Sequence, residues 1–240
     1  MKMNSIGKIY KILLKEYSYQ GWWPLIHYDN INSTKTGAIN GYHPKDYSFP
    51  KNEEERFEII LGSILTQNTN WVSVEKALFN IDKIAIDFKP ENILKILNED
   101  FNSFKEAIRC TGYYNQKINY ISNILDFYIE INGEIPTRKE LLKVKGVGNE
   151  TADSILLYAY KQVEFIVDAY TKRIFLYLNH IKEKDSYLKI KELFEENLPS
   201  NYKIYQEYHA LIVEHGKKYY MKKPYGINDN LLKNFKMELI

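Results

Sequence analysis

Apolar residues recur at helical spacing along most of the 240-residue chain. Ile6, Ile9, Leu13 and Leu14 fall on one face between Ser5 and Tyr17, which predicts an amphipathic helix. Phe57, Ile60, Leu61, Ile64 and Leu65 form the stripe of a second helix, which ends in the polar cluster Thr66-Gln67-Asn68-Thr69-Asn70. A helix follows from Trp71, and another opens at Lys89-Pro90-Glu91 with proline in its first turn. Further helices are expected over Phe101 to Arg109, Ile118 to Ile131 (closed by Asn132-Gly133), Ala169 to Leu178, Asp185 to Leu198 and Asn201 to Tyr220. Only Val163 to Val167 reads as a strand, and it is too short and isolated to build a sheet. The expected fold class is therefore all-α. The polar residues 29–51, with Gly, Pro, Asn and Ser, read as a long irregular loop, which is either functional or mobile.

The most informative stretch is Pro136 to Arg173. Thr137 and Glu140 form a capping box, and Leu141, Leu142 and Val144 give the helix that follows its apolar side. Gly146-Val147-Gly148 must turn the chain, since each glycine costs about 1 kcal/mol inside a helix. Ala152, Ile155, Leu156 and Ala159 mark the buried face of the next helix. The free N–H groups at its start suit a phosphate, and glycine lets a backbone approach closely. Asp168 then opens another helix.

Composition narrows the classes of function. Lys+Arg 33 against Asp+Glu 31 gives a net charge of +2, so any nucleic-acid surface must arise from local clustering. The single cysteine, Cys110, excludes a disulfide framework and a cysteine-ligated zinc or iron–sulfur cluster. No apolar run reaches membrane-spanning length, and the charged N-terminus does not resemble a signal peptide. A cytoplasmic, nucleoid-associated protein, working as a monomer, is expected.

VKGVGNETAD (residues 144–153) resembles the helix-hairpin-helix of the HhH-GPD (endonuclease III) superfamily of DNA glycosylases. IVDAYTKRI (residues 166–174) resembles that superfamily's catalytic-aspartate segment, and LGSILTQNTNWVSVEKA and GYYNQKINYI match further parts of it. The resemblance implies two helical domains with the active site in the cleft between them. One, the helical barrel carrying the hairpin, spans 52–162; the other combines 1–28 with 163–240. It implies double-stranded DNA containing damaged bases as partner. The expected DNA contacts are Gln67, Asn68, Lys145, Gly146, Val147, Gly148, Asn149 and Thr151, with Gln67 filling the gap left by the flipped nucleotide. It also implies a monovalent cation on the carbonyls of Leu142, Val144 and Val147. No cofactor is required. Cluster-bearing members carry four cysteines near the chain's end, where this chain has Tyr219, Tyr220 and Tyr225.

Breaking an N-glycosidic bond develops positive charge on the sugar, which a fixed carboxylate stabilises. Asp168 is the candidate catalytic residue, and its other reading is a helix N-cap; the two are compatible, because capping favours the ionised form. Members of the superfamily that also cut the backbone carry a Schiff-base lysine two residues after the last hairpin glycine. Here that position is Glu150, and a carboxylate forms no Schiff base. A base pocket of Trp22, Trp23, Pro24, Phe57 and Tyr113 would offer π faces that favour a cationic alkylated purine. These features resemble the 3-methyladenine DNA glycosylase III branch, which implies Lys217 as a further pocket residue. The expectation is thus a monofunctional glycosylase for alkylated purines. Its competitors are an endonuclease III-like glycosylase/lyase for oxidised or mismatched bases, and a non-catalytic helix-hairpin-helix module.

Overall fold

The computed structural model describes residues 4–36 and 40–238, so residues 37–39 of the expected loop lie outside the described residues. Among the described residues the regular structure is entirely helical. Eleven α-helices follow in order: α1 (Ser5–Tyr17), α2 (Glu53–Leu65), α3 (Trp71–Asp82), α4 (Pro90–Glu99), α5 (Phe101–Ile108), α6 (Tyr114–Glu130), α7 (Arg138–Leu141), α8 (Asn149–Ser154), α9 (Ala169–Tyr177), α10 (Tyr187–Asn197) and α11 (Tyr202–Tyr219). Helix α8 runs on into a wider π turn, Ile155–Ala159. The run 163–167 is extended but pairs into no strand. None of the helices is long and apolar enough to cross a membrane.

Side-chain caps fix most helix starts. Asn4, Asn52, Asn70, Asp100, Thr137, Asp168, Ser186 and Asn201 each accept a backbone N–H of their own helix. Such caps contribute about 1 kcal/mol each. The Thr137–Glu140 box forms as the sequence implies, but α7 is a single turn that ends at Leu141. Leu141 is buried, whereas Leu142, beyond the last turn, is exposed; the chain must already be bending toward the hairpin.

Helix α2 is the centre of the fold. It is buried from Phe57 to Leu65 and packs against α3, α6, α8 and the π turn. Helices α3, α4, α5 and α6 pack among themselves around it. On the other side α11 packs on α1, α9 and the π turn, and α1 on α10. The π turn therefore touches both groups, and Asp168 follows it by less than three turns' worth of chain. A buried amine ties the end of α2 in place: Lys117 Nζ donates to the carbonyls of Leu65 (2.7 Å) and Thr111 (2.9 Å). Burial pushes that ammonium down to about 8.

The long loop is held by packing. Tyr42, His43 and Phe49 are buried, and His43 stacks on Phe49 at 4.4 Å. His43 Nε2 lies 2.9 Å from the Trp23 carbonyl, and Tyr47 donates to Glu207 at 3.0 Å. Gly21 is at φ +69°, and a Cβ there would meet the Pro44 nitrogen at 2.2 Å. The described part of the loop thus forms the backing of the segment that carries Trp22 and Trp23.

Candidate active site

The hairpin is built on local constraints. Gly146 adopts φ +104°, and a Cβ on it would lie 2.2 Å from the Tyr120 ring. Only glycine satisfies both conditions. Val147 tucks inward and its N–H donates to the Val144 carbonyl at 3.0 Å. Gly148 caps α8 and faces open space, so nothing obstructs an approaching backbone. Lys145 and Asn149 are exposed; the Lys145 carbonyl accepts from Asn123 Nδ2, and the Asn149 side chain accepts from Arg138.

Gln67 is docked onto this hairpin. Its Nε2 donates to the Gly146 carbonyl at 2.9 Å and to Thr151 Oγ1 at 3.1 Å. Thr151 is buried beneath it. Asn68, next to Gln67, is exposed at φ +54°, a conformation asparagine tolerates well. Gln67, Asn68 and the hairpin therefore form one continuous surface.

A buried ionic network orients the hairpin relative to Asp168. Arg138 Nε donates to Asp153 Oδ1 at 2.7 Å, and Asp153 is fully buried. Tyr187 donates to Asp153 Oδ2 at 2.7 Å, and the Val167 N–H donates to the Tyr187 oxygen at 3.3 Å. Lys191 completes the network with Glu164 and Glu195. Breaking a buried pair of this kind costs about 3–5 kcal/mol.

Asp168 is the N-cap of α9 and is buried. Its Oδ1 accepts two bonds of 2.7 Å, from the Thr171 N–H and from Thr171 Oγ1. Among the described residues its Oδ2 has no such partner; His209 Nε2 stands 4.0 Å away. Glu150 occupies the second position of α8. Its residue surface is exposed, yet protein atoms crowd its carboxyl. Burial there, and then the negative charge of Asp168, push its carboxyl up to about 7, while Lys172 opposes the rise. The charges of the two carboxyl groups are thus coupled, Asp168 acting on Glu150 from the start of α9.

The two tryptophans divide. Trp23 is buried, edge-on to Trp71 and Tyr158, each at 5.2 Å. Gly62 makes room for it: a Cβ there would come within 3.1 Å of Trp23 Nε1. Trp22 is half-buried and meets His209 edge-on at 5.6 Å, with Lys217 Nζ 5.9 Å above its ring. Burial lowers the Lys217 ammonium below its ordinary range, against the pull of Glu214. Pro24 is buried beside Trp23. Phe57 corrects the expected pocket: it is wholly enclosed against Tyr128, at 5.2 Å, and presents no surface to a base. Its place on the inner stripe of α2 dictates this. Tyr113, 70% exposed and at φ +49°, stands at the start of α6 with no ring contact to either tryptophan.

Sequence reasoning missed Thr171, His209 and Tyr158. His209 interrupts an apolar run in α11, and a buried polar residue requires a partner. That signal marks the residue but not the partner. Tyr158 Oη lies 2.9 Å from His209 Nδ1 and 3.1 Å from the Gln206 carbonyl oxygen. Among the described residues no cluster of His, Cys, Asp and Glu is arranged to hold a metal. Around the hairpin, the Val144 carbonyl accepts one hydrogen bond, and among the described residues those of Leu142 and Val147 accept no backbone bond.

Comparison with known proteins agrees with this arrangement. Residues 61–200 match the HhH-GPD superfamily of base excision DNA repair proteins. The chain is 44% identical over 236 residues to MJ1434 of Methanocaldococcus jannaschii, an inferred DNA repair glycosylase, covering 92% of this chain and 91% of that protein. It is 30% identical over 168 residues to endonuclease III of Sulfolobus acidocaldarius, covering 68% of this chain and 73% of that one. Among solved structures, the H. pylori 3-methyladenine DNA glycosylase MagIII, bound to 1,N6-ethenoadenine, superposes with a TM-score of 0.66 at 26% identity, over 90% of this chain and 98% of that one. The all-α fold, the glycine hairpin and the match over most of its length place this chain in the HhH-GPD superfamily of base excision DNA repair glycosylases.

Proposed function

We propose that the protein is a monofunctional DNA glycosylase that flips an alkylated purine out of the duplex, hydrolyses its N-glycosidic bond and leaves an abasic site. The observation that carries this reading is Glu150 beside Asp168, a carboxyl where a strand-cutting relative would need an amine. Asp168 serves as the catalytic carboxylate: Thr171 holds one oxygen, and the other is left to face the sugar and the attacking water. The hairpin residues Lys145, Gly146, Gly148 and Asn149 grip a phosphate, and Gln67 leaves the hairpin to fill the gap when the base departs. The carbonyls of Leu142, Val144 and Val147 would hold a monovalent cation; such an ion would lend positive charge to the hairpin's grip on the phosphate. The chemistry needs no other cofactor.

Trp22 and Lys217 line the base pocket, with Trp23 and Pro24 as its rigid backing. The π face of Trp22 favours a cationic base, and such a base leaves readily. Burial of Lys217 eases the juxtaposition, because it disfavours a second positive charge next to the base. The likeness to a 3-methyladenine DNA glycosylase bound to ethenoadenine supports a damaged purine as occupant. A second reading, glycosylase with lyase activity, rests on the 30% identity to an endonuclease III. The test of substrate is incubation with methylated duplex DNA and identification of the released bases. Release of 3- or 7-methylated purines is expected; release of none of them would overturn the substrate assignment.

A further inference from the structure

The interior of the site contains a group that the proposed reaction has not used. His209 is buried on α11, between the Trp22 ring and Oδ2 of Asp168. One of its nitrogens is anchored, with Nδ1 2.9 Å from Tyr158 Oη. The other points at Asp168 Oδ2 across 4.0 Å. That separation exceeds a hydrogen bond by about 1 Å and leaves no room for a bridging water. Catalytic hydrogen bonds are often long in the free enzyme and tighten once substrate is bound.

Tyr158 has one hydroxyl proton and two neighbours, His209 Nδ1 and the Gln206 carbonyl. If the proton goes to Gln206, His209 carries its own proton on Nδ1, and the lone pair of Nε2 faces a carboxylate. If it goes to Nδ1, His209 presents Nε2–H to Oδ2. The second arrangement pairs a donor with an acceptor and the first opposes two acceptors. Burial keeps the imidazole neutral, so the choice of tautomer is consequential.

Building on Asp168 as the catalytic residue, we propose that His209 is a positioning residue, which donates from Nε2 to Asp168 Oδ2 and aligns that oxygen with the sugar. Tyr158 sets the tautomer. Oδ1 is already fixed by Thr171, so His209 supplies the second point that determines the plane of the carboxylate. Its edge-on contact with Trp22 links this alignment to the pocket: a base seated on Trp22 presses on the ring that steers Oδ2. The group that recognises the base and the carboxylate that stabilises the sugar are thereby connected through one imidazole.

The test is single-turnover base release from methylated duplex DNA, with DNA affinity and melting temperature measured on the same proteins. His209→Ala should slow release at least tenfold while DNA affinity stays within about twofold. His209→Gln, whose amide N–H reaches to about where Nε2–H sits, should recover most of the rate. Tyr158→Phe, which removes only the hydroxyl, should slow release three- to tenfold. The proposal is overturned if His209→Ala releases base within twofold of the native rate, or if His209→Gln is as slow as His209→Ala. Should His209→Ala fail to fold, Tyr158→Phe decides, and a native rate in it overturns the proposal. Asp168→Asn, run in parallel, separates the two levels: activity in that variant defeats the catalytic assignment itself, whereas an inactive Asp168→Asn beside a fully active His209→Ala defeats only the role of His209.

Discussion

Asp168 and Glu150 carry the same chemical group and lie close enough for one charge to act on the other, yet the protein treats them in opposite ways. Asp168 begins a helix, and Thr171 spends two donors on one of its oxygens. Both bonds fix the direction of the carboxylate. Among the described residues the Glu150 side chain accepts no hydrogen bond, and crowding together with Asp168 lifts its carboxyl to about 7. One carboxylate is therefore held in a fixed direction, and in the proposed reaction such a preorganised charge is the main source of electrostatic rate enhancement. The other is an adjustable neighbour whose charge varies around neutral pH. What distinguishes them is the backbone each grows from: an N-cap comes with donors aimed at it, and the second residue of a hairpin helix does not.

The largest way to break this comparison is to remove the prepared charge. Asp168→Asn keeps the cap but not the anion, so base release should fall by at least about a hundredfold with DNA affinity nearly unchanged, measured by single-turnover excision and by titration. Next is Glu150→Lys, which puts an amine where the carboxyl stands. This variant should give a borohydride-trapped covalent complex with damaged DNA, absent from the native protein. Smaller still is Thr171→Val, which keeps the shape but deletes one of the two bonds to Oδ1. A hydrogen bond to a charged group contributes about 1.5–3 kcal/mol, so release should slow by about ten- to a hundredfold, again without loss of affinity.

The smallest effect concerns pH. Glu150 gains its negative charge as pH rises through about 7. On the proposed reading that charge would stand close to the polyanionic DNA, so affinity should weaken over that interval, and bound DNA should in turn hold the proton on. Glu150→Gln, which never ionises, should remove this step and bind a few-fold more tightly at pH 8. Titrations at pH 6 and pH 8 on both proteins check the sign.

Much of the frame was legible in the chain because it is set locally. The Thr137–Glu140 box, the glycine turn and the Asp168 cap each involve residues within a few positions of one another, and spacing reveals such features. What escaped detection joins distant segments. Arg138 meets Asp153 and both meet Tyr187; Tyr158 meets His209; the 29–51 loop backs Trp23 through His43. Phe57 shows the opposite limit. An aromatic side chain reads alike whether it lines a pocket or fills a core, and helix packing alone sends it inward. Of the paired tryptophans, the sequence could not say which faced the recess; room beside Gly62 takes Trp23 into the core and leaves Trp22 half-open.

The central claim is that a fixed carboxylate without an amine beside it excises the base and leaves the strand whole. The direct measurement is strand integrity on end-labelled methylated duplex after complete base release, with borohydride included in a parallel reaction. The account predicts full-length strand that breaks only on alkaline treatment, and no covalent protein–DNA complex. Strand breaks before alkali, or a trapped complex with the native protein, would contradict it.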